Sequence, residues 1–462
     1  MEELTGYDAR FLYSETPSAH MHTLKIIVMD LSGRGEDLTT DDFVSLVGER
    51  LDRLPVLRRR AVPVPYRLGH PVWVEEPGFD LRRHVHWRRA PGAGTARDLA
   101  AVVAEIAAVQ LPRDRPLWDL TVVEGLEGDQ VAFVMKLHHS LADGGAAVAL
   151  LENAFVLDDV DAYVEPPHPE PLPDGGTLVR QALRSGSRRA LELPGLARRT
   201  ATGVMAARRA QRSLEVELPA YFSGPRTPFN ASLEPERSFA MTSLPLHDLL
   251  TARKAASATL NDVFLAVCGG ALRRYLARLG PLPEQGLLAA VPLATGTQAR
   301  HYSGNHLDNL TVPVGTEIAD PAERVRYVHA VAVAGRQVRE ALGPELFESR
   351  AALTPPMFYP LGIRLWARTH LADHTRPPVN LIASNVRGPA DLPEVEGARV
   401  TALYSMGPIL EGIGLNITAW SFRDDLDVSV MGTPRTLPDP WALVDDLRAS
   451  AAELTAALGV GV

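Results

Sequence analysis

Apolar residues follow two rhythms along this chain. Short, β-branched runs at 24–31, 120–123, 131–138 and 287–293 predict strands. Stretches with apolar residues three or four apart, at 39–54, 96–109, 146–155, 257–279, 321–342 and 437–458, predict helices. Thr40 or Asp41 is placed to cap the first of these, and Asn261 or Asp262 the fourth. Prolines break 55–74 into short extended pieces, and 404–422 divides into two further strands.

Two composition changes divide the chain. Residues 158–176 are rich in Pro and acidic side chains, as expected of a linker. Residues 177–214 then carry nine arginines against Glu192, with apolar residues at near-helical spacing and a break expected at Pro194-Gly195. That segment fits a crossover helix packed on its neighbours, a basic amphipathic helix on an anionic membrane, or a counter-charge for phosphates. The resulting plan is mixed α/β, with an N-terminal domain over 1–157, a linker and Arg-rich helix over 158–236, and a C-terminal domain over 237–462.

Composition narrows the function classes. The chain has 462 residues, a net charge of −9 and one cysteine. Its charge argues against nucleic acid as partner, and a lone Cys268 in an apolar helical pattern reads as core filler in a reducing, cytoplasmic setting. No secretory leader is expected from the acidic, polar start, and no run of eighteen apolar residues suggests a membrane span.

The candidate chemistry sits at 131–145, where a strand delivers His138 and His139, then a turn with Asp143-Gly144-Gly145 before a helix. A histidine at a strand end beside a helix N-terminus suits acid–base work. If the strand runs through the pair, alternation puts His139 with Phe133, Met135 and Leu137, and His138 with Val134 and Lys136 on the other face. Neighbours on opposite faces do not readily share a metal, and neither a zinc-binding helix motif nor a cysteine cluster occurs, so no metal site is expected. His20 and His22 share a face but lack an apparent third ligand, so a loop contact is expected there. No Gly-x-Ser-x-Gly elbow occurs, and Ser140 beside His139 does not by itself indicate a serine nucleophile.

His138-His139-x-x-x-Asp143-Gly144 resembles the signature shared by CoA-dependent acyltransferases and peptide-synthetase condensation domains. Further elements occur in the order found in the bacterial wax ester synthase/diacylglycerol acyltransferase family. They are the opening with His20-Met21-His22, Pro116-Leu117-Trp118, Asn261-Asp262, Ser303-Gly304-Asn305, Ser384-Asn385-Val386-Arg387-Gly388-Pro389, and Gly414 to Thr418. The resemblance is weakest over 158–236, and Arg387 stands where the family element usually has proline. It implies an α/β fold of two chloramphenicol-acetyltransferase-like domains joined by a helical crossover linker, with the histidine reached by a channel between them.

It also implies acyl transfer from acyl-CoA to diacylglycerol or a long-chain alcohol, with no cofactor, at a membrane or lipid-droplet surface. His139 is then the general base, His138 and Asp143 hold the loop, and Gly144-Gly145 are candidate oxyanion donors. Asn261, Asp262, Ser384 and Asn385 lie near the active-site channel on this resemblance. Met357, Phe358 and Trp366 are candidates to line an acyl tunnel, although core packing explains them equally well. Two alternatives stay open: a free-standing condensation-type enzyme using carrier-protein thioesters, and a non-catalytic lipid-surface protein.

Overall fold

In the computed structural model of the protein, the described residues are 1–33, 44–45, 47–48, 51, 54–141, 171–220, 222–294, 307–343, 354–389, 391–394 and 397–460. Elements are numbered in chain order. The first body is built on a five-stranded sheet. Its strands are β2 (His22–Asp30), β5 (Val85–Arg89), β6 (Trp118–Glu124), β7 (Gln130–His138) and β12 (Arg399–Met406), in the order β12-β2-β7-β6-β5. Only the β5–β6 pair is parallel. A small sheet of β1 (Glu2–Glu3), β3 (Arg59–Val62) and β4 (Val72–Glu75) lies beside it. Helix α1 (Gly6–Ser14) opens the chain, and helix α2 (Ala96–Ala108) covers one face of the large sheet through Leu99 and Val103, packed with Leu24, Ile26 and Val134. The sequence pattern explains α2 directly: Thr95 and Asp98 form a reciprocal capping box, and the apolar stripe behind it is buried.

The second body has a six-stranded sheet. Its strands are β8 (Ser238–Pro245), β9 (Leu288–Ala294), β10 (Leu307–Pro313), β11 (Leu381–Arg387), β13 (Asn416–Phe422) and β14 (Asp425–Gly432), in the order β10-β9-β11-β13-β14-β8. Helices α4 (Leu246–Ala255), α5 (Leu260–Leu279), α6 (Pro321–Leu342) and α8 (Pro440–Ala457) belong to this body, and α7 (Tyr359–Arg368) leaves it to touch α1. Helix α5 is the spine of its core, and Cys268 is buried there. Gly269 and Gly270 let it approach closely: a β-carbon would fall 1.8 Å from the Val314 carbonyl oxygen at the first and 2.2 Å from Ser450 Oγ at the second. A mid-helix glycine costs about 1 kcal/mol relative to alanine, so this contact is what keeps the pair.

Among the links between the bodies, two come from elements that cross from one to the other. Strand β12, late in the sequence, adds to the first sheet beside β2. On its other side, Asp427 of β14 accepts the Leu403 N–H at 2.8 Å, which satisfies an edge amide. Helix α3 (Gly175–Arg212) is the other link. Its Leu178 and Ala182 pack with Val64, Val72 and Val74 of the first body, and its length also meets α6 of the second. The arginine-rich segment is therefore a packed crossover helix. The expected break at Pro194 is absent, because α3 continues through it. The proline removes the hydrogen bond to the Ala190 carbonyl, but Ala190 to Gly195 are exposed and water can satisfy that oxygen.

Candidate active site

Strand β7 is central in its sheet, and its C-terminal end is held from both sides. The His138 N–H donates to the Leu117 carbonyl, and the His139 N–H to the Met21 carbonyl, each at 2.9 Å. Leu117 belongs to the Pro116-Leu117-Trp118 turn. Trp118 is fully buried, donates its indole N–H to the Leu57 carbonyl at 2.6 Å, and stacks on His84 with ring centres 4.4 Å apart. That turn thus braces the histidine strand through a direct backbone bond. Lys136, two residues before the pair, is also buried; its ammonium donates to the Ile106 and Val109 carbonyls at the end of α2, where a cation is favoured. Burial nevertheless lowers its pKa to about 8.

The two histidines have different surroundings. His138 has no exposed surface. The Ser140 N–H donates to its Nδ1 at 3.1 Å, which places the ring hydrogen on Nε2. Ser140 Oγ lies 2.8 Å from the same Nδ1, and Ser140 is itself buried. His138 Nε2 faces Glu15 Oε1 at 3.9 Å, and that oxygen is also 3.9 Å from His22 Nε2. Arg113 pairs with the other oxygen of Glu15. Burial, then Arg113, holds the His138 imidazole well below its ordinary pKa; burial, then His138, does so for His22. Burial pushes the Glu15 carboxyl up, opposed by Arg113.

His139 is half-buried and lies in the turn that follows the strand. Its ring stacks on Phe11, with centres 4.2 Å apart and planes at 10°. The strict alternation expected through the pair therefore ends one residue early: β7 stops at His138, and the Leu141 N–H returns to the His138 carbonyl at 2.9 Å. Helix α1 serves both histidines, offering Phe11 to His139 and, at its C-cap, Glu15 to His138. Asp143, Gly144, Gly145 and the helix expected at 146–155 lie outside the described residues.

The other motif residues are spread through the second body. Thr259, not Asn261 or Asp262, caps α5. Asp262 sits at the third helical position and closes a capping box, accepting the Thr259 N–H at 2.9 Å. Its other contact is with His329 of α6, whose Nδ1–H donates to Oδ2 at 2.7 Å. The cap falls on threonine because its hydroxyl reaches the Asp262 N–H, at 3.2 Å, while the aspartate returns to the cap's own amide. Asn261 is half-buried in that first turn. Ser384 and Asn385 are half-buried on β11, opposite Thr418 and Ala419 of β13. Arg387, an ordinary amide-bearing residue, lets the parallel pairing continue to Ser421. Gly388 follows where a β-carbon would lie 2.4 Å from the Ser421 carbonyl oxygen. Met357 and Phe358 are exposed ahead of α7, and Trp366 is half-buried on it. Among the described residues, no group of three or more His, Cys, Asp or Glu is placed to hold a metal ion. His20 instead donates Nε2–H to the Pro17 carbonyl at 2.8 Å, with Arg237 on its Nδ1 at 3.3 Å.

The wax ester synthase/diacylglycerol acyltransferase catalytic domain matches residues 4–264, and the C-terminal domain of the same family matches residues 303–455. The chain belongs to the wax ester synthase/diacylglycerol acyltransferase family. It is 38% identical over 467 residues to a Mycobacterium tuberculosis H37Rv protein named "Putative diacyglycerol O-acyltransferase Rv0221", covering 100% of this chain and 97% of that one. A second H37Rv protein, of the same name but ending Rv1760, is 33% identical, with coverages of 98% and 90%. Among solved structures, a wax ester synthase/diacylglycerol acyltransferase from Marinobacter aquaeolei VT8 superposes with a TM-score of 0.65 at 24% identity, over 99% of this chain and 100% of that one. The first condensation domain of the CDA synthetase gives 0.58 at 15% identity, over 98% and 96%. The α/β architecture of two sheet-containing bodies is thus that of this acyltransferase family, and condensation domains share the fold.

Sequence inspection missed what surrounds the pair in this family member. Glu15 and Arg113 stand out by no pattern of their own, and Phe11, though part of an opening that resembles the family's start, gives no sign of meeting a histidine until α1 folds over the end of β7. Ser140 offered a signal, since a hydroxyl two residues after a histidine can reach back to the ring, but its burial is visible only in three dimensions.

Proposed function

We propose that this protein moves a long-chain acyl group from acyl-CoA to the hydroxyl of a diacylglycerol or a long-chain alcohol, with His139 as general base. The observation that carries the proposal is the asymmetry of the pair. His138 is sealed, neutral and held by Ser140, whereas His139 is partly exposed on a backbone pinned from both neighbouring strands. In the step envisaged, His139 takes the proton of the acceptor hydroxyl as that oxygen bonds to the thioester carbon. The tetrahedral intermediate then expels the CoA thiolate, which recovers the proton from the imidazolium. General-base help of this kind is typically worth about 10²- to 10⁴-fold. Backbone amides at Gly144-Gly145 are the proposed oxyanion donors, and Asp143 the residue that holds the loop. The burial of Ser140 supports a direct transfer without an acyl-serine.

Among the described residues no single helix is long and apolar enough to cross a membrane. We place the reaction at the cytoplasmic face of a membrane or at a lipid droplet, where the protein docks peripherally. The shared fold with condensation domains favours a second reading, in which the acyl donor is a carrier-protein thioester and the acceptor an amine. Labelled palmitoyl-CoA incubated with pure protein and diacylglycerol, hexadecanol or an aminoacyl thioester separates these. Labelled triacylglycerol or wax ester is expected. Product only with the aminoacyl thioester supports the second reading, and no product from any acceptor supports a non-catalytic lipid-surface protein.

A further inference from the structure

Helix α7 is amphipathic in an unusual sense: its apolar stripe faces out. Phe358 is 68% exposed, Leu361 52% and Leu365 63%, and these three positions fall on one side of a 3.6-residue helix. Met357 adds a further exposed apolar side chain just before the helix, and Leu371 another just after it. Arg364 and Arg368 flank the stripe and are also exposed, and no carboxylate occurs from Thr354 to Ala372. Soluble surfaces seldom gather so many large apolar side chains without a partner.

The opposite side of α7 is fixed. The Tyr359 hydroxyl lies 3.3 Å from Ser14 Oγ of α1, and the Arg10 guanidinium lies over the Tyr359 ring at 5.8 Å. Helix α1 is the element whose Phe11 stacks on His139. Helix α1 therefore links α7, which carries the outward stripe, to the proposed base.

We propose that the outer face of α7 docks the protein on an anionic lipid surface and sets His139 beside the interface from which the lipid acceptor enters. This rests on the acyltransferase reading above and adds the docking face to it. The local charge selects the occupant. Arg364 and Arg368 beside the stripe complement an anionic surface locally, because the chain's overall charge of −9 is screened beyond a Debye length of about 8 Å. A lipid surface takes the apolar stripe into its acyl region while its phosphates meet Arg364 and Arg368. Helix α3 carries more arginines, but it is the crossover element, with Leu178 and Ala182 committed to the first body.

The test uses the full chain with Leu361→Glu and Leu365→Glu combined, both exposed positions outside the site. Flotation is measured on phosphatidylcholine vesicles with and without phosphatidylglycerol, each carrying diacylglycerol. The wild type is expected to float with the anionic vesicles, and the double variant to lose at least about tenfold in binding and in turnover of vesicle-borne diacylglycerol. Its melting temperature and its turnover of a dispersed short-chain alcohol are expected to stay at wild-type values. Unchanged vesicle binding by the folded variant overturns the proposal. So does a wild-type dimer that the variant splits without any vesicle binding, because a second copy then covers the stripe. A protein that floats through α7 but transfers no acyl group retires the acyltransferase reading and leaves the docking face standing.

Discussion

A carboxylate meets an imidazole both in the core of the second body and at the strand end that carries the histidine pair. At the start of α5, Asp262 and His329 meet at 2.7 Å, and the same carboxylate closes the helix cap. At the end of β7, Glu15 stands 3.9 Å from both His138 and His22, and the next residue, His139, is partly open beneath Phe11. The first arrangement is closed: its carboxylate is committed to holding a helix start on its neighbour. The second holds a strand end and keeps one ring, that of His139, only half-buried. The comparison teaches that a pairing of acid and imidazole does not identify a reactive site. In the proposal above, the half-buried histidine next to a sealed one does.

The sharpest way to break that contrast is His139→Ala. A loss of at least about 10²-fold in acyl transfer is expected, the lower bound for general-base help, with an unchanged circular dichroism spectrum. Near-normal turnover by the folded variant would erase the difference between the two places. Asp262→Ala should act in the other way. It removes half of the capping box and strands His329, so about 2–3 kcal/mol of stability should disappear in urea titrations. Activity per folded molecule should remain; its abolition without a stability loss would make Asp262 part of the chemistry.

Acid sharpens the comparison further. His22 and His138 are held neutral in the fold, so below the unfolded reference of about 6.5 the unfolded chain binds protons that the native state refuses. Stability from these two groups is complete above that pH and falls as pH drops beneath it. From pH 6.5 to 5.5 the pair should cost about 2 kcal/mol, measured as a fall in unfolding free energy by chemical denaturation. A flat profile would show that the strand end is not sealed. The smallest effect is expected from Trp118→Phe, which removes the indole bond to Leu57. A loss of about 1–2 kcal/mol is expected in thermal melts, with a modest drop in turnover because the turn that holds His138 remains.

Much of this was legible along the chain. Apolar spacing alone locates α2 and α6 almost to the residue, because local propensity and tertiary packing agree there. The histidine pair was legible too, as was the Trp118 turn next to it. Three features were not. Strand alternation overshoots by one residue at His139, since the turn begins as soon as Ser140 can reach back to His138. The partnership of β12 with β2 joins residues almost four hundred apart, and no local pattern encodes it. Glu15 reads as one acid in a turn-rich opening until α1 folds over the strand end. Asp143 and Gly144 belong to the same motif, and they lie outside the described residues.

The central claim is one-step transfer with His139 taking the acceptor's proton. Mixing enzyme with excess labelled palmitoyl-CoA in a stopped-flow thiol assay, first without acceptor and then with dispersed hexadecanol, tests it most directly. The account predicts no burst of free CoA and no label on the protein until hexadecanol is added, followed by CoA and wax ester appearing together. A burst of CoA equal to the enzyme, with label retained on denatured protein, would mean that an acyl-enzyme forms and would contradict it.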